Sequence, residues 1–273
     1  MKTINPSELS PMQVQMILQT AVAPRPIALA STIDKNGNVN LSPFSFFNLF
    51  SSNPPILIFS PARRVRDNST KDTLHNVLEV PEVVIGNVNF DMVQQVSLSS
   101  TEYETGVDEF IKSGLTKKPA ELVKPPLIAE SPVNFECKVI EVKPLGNEGG
   151  AGNLVICEVL KIHIREEFLN EEGNLDQKKL DLVSRLGGNW YGRTTAETLF
   201  EVPKPLVTKG IGFDQLPSEI KNSKIFTGND LGMLANVEQL PEGNFSADEK
   251  VHLEAQKLLL EGKIEEAWKI LNI

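Results

Sequence analysis

Cysteine is almost missing from this chain: two of 273 residues, Cys137 and Cys157. Two thiols build neither a disulfide framework nor an iron–sulfur site. Both stand in apolar runs, VNFECKVIEV and NLVICEVLKI, which reads as two buried thiols. Histidine is nearly as scarce, and His75, His163 and His252 are too widely spaced for a zinc site. Tryptophan and tyrosine number two each, against thirteen phenylalanines. No apolar run nears the eighteen or so residues of a membrane helix; the longest, such as residues 56–59, are strand-sized. The opening MKTINPSELSPMQV lacks the basic-then-apolar order of a signal peptide, so a cytoplasmic location is expected. Positive charge is also short. Lys plus Arg total 27 against 36 for Asp plus Glu, a net charge of −9. That argues against binding to nucleic acid or anionic membrane through bulk charge. The motifs GxxxxGK[ST], HExxH and GxSxG are missing as well.

What is present is a chain broken often, with 18 Gly and 18 Pro. Ser10-Pro11 predicts a helix start, and the helix should end before Pro24. A strand, PIALASTI, leads through the hairpin turn Asp34-Lys35-Asn36-Gly37 into a return strand, NVNLSPFSFFNLF. Pro43 marks an edge or a bulge in it. ILIFSP and VVIGNV are further strands, and Asp72 is placed to cap a short helix between them. Helical segments follow over 90–98 and 106–111. A long β pair, 133–142 with 154–164, encloses PLGNEGGAGN, a glycine-rich stretch read as a mobile loop or wide bend. Six or more strands joined by hairpin-like turns predict an antiparallel barrel or sandwich with peripheral helices. At the end, Ser246 with Glu249 suggests a capping box, and Gly262 a C-cap, for a helical hairpin. The expected division is a main domain over 1–240 and a helical extension over 241–273.

Polar groups concentrate in 24–73, at the ends of apolar strands: Arg25, then Ser42 to Asn48, then Ser60 to Thr73. Arg63, Arg64 and Arg66 with Lys71 to Thr73 suit an anion, especially phosphate. A solvated basic loop before a capped helix is the other reading. In PFSFFN, strand alternation would send Phe44 and Phe46 one way, Ser45 and Phe47 the other. That is either an ordinary core strand or a wall against an aromatic ligand.

Taken together, PRPIALASTID, GNVNLSPFSFFNLFSSNPP, ILIFSPARR with KDTLHN, EVVIGNVN, GVDEF, SPVNFECKV and RLGGNWYGR resemble the flavin reductase-like family of the FMN-binding split barrel superfamily. The resemblance spans roughly residues 10–240. It implies a mainly β split barrel with peripheral helices, assembled as a homodimer. It implies FMN as cofactor and NADH or NADPH as hydride donor. It would place Ser42, Phe44, Ser45, Phe46, Phe47 and Asn48 on the isoalloxazine and ribityl chain. Ser60, Arg63, Lys71, Asp72 and Thr73 would hold the phosphate, with Asn189, Trp190 and Tyr191 close to the flavin. Arg25 would lie near the ring or the nicotinamide pocket, a candidate to stabilise reduced flavin; His163 is either at the barrel mouth touching substrate or a satisfied structural residue. The implied function is hydride transfer from NAD(P)H to flavin. A reductase component with a monooxygenase partner, and a non-catalytic flavin-binding or storage protein, stand as alternatives.

Overall fold

The computed structural model describes residues 1–205 and 209–273. By internal contacts the chain forms two compact units, Met1–Leu199 and Phe200–Ile273. Among the described residues, no helix is long and apolar enough to cross a membrane.

In the first unit, α1 (Pro11–Ala21) begins as the sequence predicts: Ser10 and Gln13 form a reciprocal capping box, with Pro11 at the first position. Four strands follow: β1 (Ala28–Ile33), β2 (Val39–Phe44), β3 (Phe47–Ser52) and β4 (Pro55–Phe59). Then come α2 (Asp72–Glu79), β5 (Glu82–Asn87), α3 (Val93–Ser99) and α4 (Glu109–Ser113). Two short strands, β6 (Lys117–Lys118) and β7 (Leu127–Ile128), lead to the long pair β8 (Val133–Pro144) and β9 (Asn153–Ile164). A short helix α5 (Gln177–Leu180) precedes the small hairpin β10 (Val183–Arg185) and β11 (Tyr191–Arg193).

Seven strands make one antiparallel sheet in the order β2-β1-β5-β8-β9-β4-β3. Its two edge strands, β2 and β3, are consecutive in the chain. The residues read as one return strand, NVNLSPFSFFNLF, are therefore two strands on opposite edges, joined across the split by Ser45 and Phe46. Strict alternation fails there for that reason: Phe44 is buried, whereas Phe46 is 39% exposed. Pro43, which has no N–H, sits on the β2 edge where none is needed.

Both faces of the central strands are buried. Ile27, Leu29, Leu41 and Val84 pack with Val96 of α3 and Phe110 of α4. Ala28, Ala30, Phe44, Phe59, Ile85, Cys137 and Cys157 pack on the other side with Leu74 and Val77 of α2. Both cysteines are free and buried, as expected; burial pushes the Cys137 thiol up to about 12 and Cys157 upward too.

The glycine-rich stretch between β8 and β9 is stitched down rather than free. Arg63 N–H donates to the Ala151 carbonyl at 2.8 Å, Gly150 N–H to Arg63 at 2.9 Å, and Asn68 to the Asn147 carbonyl. At Gly149 a Cβ would stand 3.0 Å from the Arg64 carbonyl oxygen and 3.1 Å from Val65, so the two loops touch backbone to backbone.

The second unit contains α6 (Ser218–Lys221), α7 (Gly228–Leu234), α8 (Glu249–Leu260) and α9 (Ile264–Leu271). Its own core joins Leu216, Ile220, Phe226 and Leu234 to Leu259, Trp268 and Leu271. The contact boundary thus falls at Leu199, not at 240, because the helical pair buries its apolar face against residues 211–245. The N-cap of α8 is Asp248, which accepts Lys250 N–H, instead of the Ser246–Glu249 box; Ser246 accepts from Asp248 N–H. Gly262 does close α8 with a φ of 75°.

Candidate functional site

The β2–β3 crossing, the loop after β4 and the start of α2 meet at one end of the sheet. Lys71 is the N-cap residue of α2 but offers no side-chain cap, and among the described residues no other side chain bonds the N–H groups of that first turn. Asp72 is thus the first helical residue, one position after the cap expected of it; it accepts a bond from Thr105. The Lys71 ammonium turns toward β2, donating to Ser42 Oγ at 3.1 Å and lying 5.5 Å from the Phe44 ring centre. Among the described residues no carboxylate lies within ion-pair distance of it. Burial, then the neighbouring Arg64, hold its pKa below the ordinary lysine value. Unpaired N–H groups at a helix start and a desolvated ammonium both favour an anion.

The floor beneath is rigid. Thr73 Oγ1 donates to Asn40 at 2.6 Å, Asn40 donates to Glu109 at 2.8 Å, and Leu41 N–H donates to Glu109 at 2.9 Å. Burial raises the Glu109 pKa against those donors. Thr73 therefore braces the site with its hydroxyl. Phe44 packs on Phe59 with ring centres 5.3 Å apart, and Phe47 joins the same core. Asn48 turns back to its own neighbour, accepting from Leu49 N–H. Ser60 is buried beside Gly152.

Alongside runs a cleft of about 710 Å³. Met12, Gln15 and Leu18 of α1 form one wall; Phe46, Arg63 to Arg66, Glu102 and the glycine loop form the other. Arg64 and Glu102 also line the smaller polar pocket around Lys71, so the two spaces adjoin. Arg63 donates to the Asn68 carbonyl while facing this cleft.

Arg25 is brought close but is largely engaged. Its guanidinium donates to the carbonyls of Gln19, Val22 and Leu186, and at 3.4 Å to Ser45 Oγ. It ties the end of α1 and the loop at 186 to the β2–β3 crossing. Four of its five donors are taken, so its placement is that of a brace, in contrast to the ring-side role expected. Asn189 and Trp190 sit in the turn beyond Leu186, lining neither the cleft nor the polar pocket; Trp190 is 77% exposed. Tyr191 lies under Arg185, 4.5 Å from its ring centre.

His163 is elsewhere. It lies ten residues along β9 from the Asn153 end that meets Pro61, about 30 Å of extended strand. Its Nε2 bonds Glu136 at 2.5 Å, and Glu136 also accepts N–H bonds from Glu121, Leu122 and Val123. The residues that sequence reasoning missed are those of α1, Asn40, Glu102 and Glu109. An uncharged helix with Met12, Met16 and Leu18 left exposed was the available signal for the first.

Residues 21–181 match the model of the flavin reductase like domain, and the chain belongs to that family. It is 38% identical to an uncharacterised protein of Halalkalibacterium halodurans over 76% of this chain and 98% of that one. An uncharacterised protein of Aquifex aeolicus is 36% identical over 66% and 90%. Among solved structures, nitrilotriacetate monooxygenase component B from Bacillus cereus superposes with a TM-score of 0.68 at 27% identity, over 74% of this chain and 98% of that one. The 2-nitrobenzoate 2-nitroreductase of Pseudomonas fluorescens gives 0.66 at 27% identity, over 77% and 100%. The seven-stranded split barrel with peripheral and C-terminal helices is thus the fold of a flavin-reductase-like protein.

Proposed function

We propose that this protein binds FMN and passes hydride from NADH or NADPH to flavin. The observation that carries the reading is the Lys71 ammonium, which has no direct ion pair among the described residues, at the start of α2, beside a cleft of ligand size. The donor set fits a flavin phosphate: Lys71, Ser42, the first N–H groups of α2, and Arg64. The β2–β3 crossing with Phe46, and α1 with Met12 and Leu18, supply an apolar bed for a planar ring. FMN, when bound, supplies the hydride-accepting chemistry itself. The chain's part is to orient and to exclude water. Arg25 fixes the crossing that would carry the ring, and the Thr73–Asn40–Glu109 chain fixes the phosphate end.

Titration of the protein with FMN, followed by flavin fluorescence, tests the cofactor. Saturable quenching at micromolar concentrations is expected, and a flat trace would refute it. Anaerobic mixing with NADH or NADPH should then bleach the bound flavin. Oxidised flavin persisting with both donors would leave a binding or storage protein. The likeness to a monooxygenase component B supports a second reading, in which reduced flavin leaves for a separate oxygenase. Release of reduced flavin through a dialysis membrane would favour it.

The functional form we propose is a cytoplasmic homodimer. Two buried free thiols suit a reducing compartment. Leu49 and Phe50 on edge strand β3 are 60% and 63% exposed, apolar area that a second copy would cover. Light scattering at twice the monomer mass is the expected result.

A further inference from the structure

Glu102, in the segment between α3 and α4, holds two arginines at once. Its Oε1 accepts from Arg64 Nε at 2.9 Å and its Oε2 from an Arg66 Nη at 3.1 Å. This is the engagement a phosphate makes: one oxygen to each guanidinium. The same carboxylate lines both the cleft and the pocket around Lys71, so it stands between the two parts of the site. Glu102 is 50% exposed, Arg66 71% and Arg64 24%, so the Arg66 contact separates at little cost and the Arg64 contact is the more sheltered of the two. Arg64 would stay in place without it, because its Nη1 donates to Ser69 Oγ at 2.8 Å and to the Thr70 carbonyl at 3.1 Å.

We infer that Glu102 is a specificity-determining residue whose carboxylate competes with a ligand phosphate for Arg64. It thereby sets how strongly the site prefers a phosphate-bearing flavin to a phosphate-free one. The inference rests on the flavin reading above. It gives a weak, half-exposed ion pair a job that an isolated surface pair lacks.

The test compares FMN and riboflavin binding to the wild type and to Glu102→Gln, which keeps the shape and removes the charge. FMN should bind about fivefold more tightly to the variant, while riboflavin binds equally to both. Inorganic phosphate should also compete with FMN at a lower concentration in the variant. Unchanged FMN affinity would overturn the inference. So would weakened binding of both flavins, which would mean that Glu102 merely positions the arginines. If the wild type binds neither flavin, the flavin reading falls by itself. Calorimetry with inorganic phosphate then still decides: tighter binding to the variant supports competition, and equal binding refutes it. Glu102→Ala replaces the amide variant if the latter fails to fold.

Discussion

Glu136, buried on β8, and Lys71, partly buried at the start of α2, are two charged groups drawn out of water, and their surroundings treat them differently. Glu136 is wholly inaccessible, and burial alone would raise its pKa. Three backbone N–H groups and His163 reverse that and hold it below the ordinary carboxylate value. Every lone pair facing the protein has a donor. Lys71 has one hydroxyl and a ring face, and its pKa stays depressed. A charge satisfied by its own chain holds the fold; a charge short of partners is where a ligand adds energy. On this ground His163, attractive as a lone histidine on a strand, serves the architecture through Glu136, and Lys71 is the residue we propose for the site.

The comparison breaks first, and most visibly, at Glu136. Glu136→Ala strands three N–H groups and should cost about 3 kcal/mol in chemical denaturation, while the folded fraction keeps its FMN affinity. A variant of full stability would undo the contrast. Acid acts on the same group. With its folded pKa below the unfolded one, the stabilisation is complete above about pH 4.3 and is lost as pH falls through the lower, folded value. Glu136→Gln should flatten that acid limb of the stability curve.

Next in size is Lys71→Ala, expected to weaken FMN about tenfold to thirtyfold and riboflavin hardly at all, with no loss of thermal stability. Equal weakening of both flavins would move the phosphate elsewhere. Smaller still is Gly149→Ala. Its Cβ must push the Arg64–Val65 backbone by a few tenths of an ångström, costing about 1 kcal/mol and loosening FMN more than riboflavin. Smallest is His163→Gln, which keeps a donor toward Glu136 and should leave the rate of flavin reduction by NAD(P)H unchanged. A large fall in that rate at constant stability would return His163 to the site.

The local elements were legible because they rest on local chemistry. Ser10-Pro11 starts α1, Asn36-Gly37 turns β1 into β2, and the apolar runs at 56–59 and 82–87 lie in strands. The phosphate-binding candidates Arg63 and Lys71 were also legible, as donors clustered at strand ends, whereas Ser42 was expected on the ring and ribityl chain. The resemblance in PFSFF and KDT supplied the cofactor, which spacing alone does not name.

What the sequence by itself determined is therefore the alphabet of strands, turns and donors: period and turn residues act over a few positions. Only the tertiary structure decided which donors remain for a ligand. Arg25 reads as a free cation until Leu186, 161 residues away, brings its carbonyl to it. Glu102 reads as one acid among many until Arg64, 38 residues earlier, meets it. PFSFF reads as one strand until the sheet opens between β2 and β3. Hydrogen-bond partners at such separations depend on sheet order and on how loops pack. Neither leaves a period in the chain.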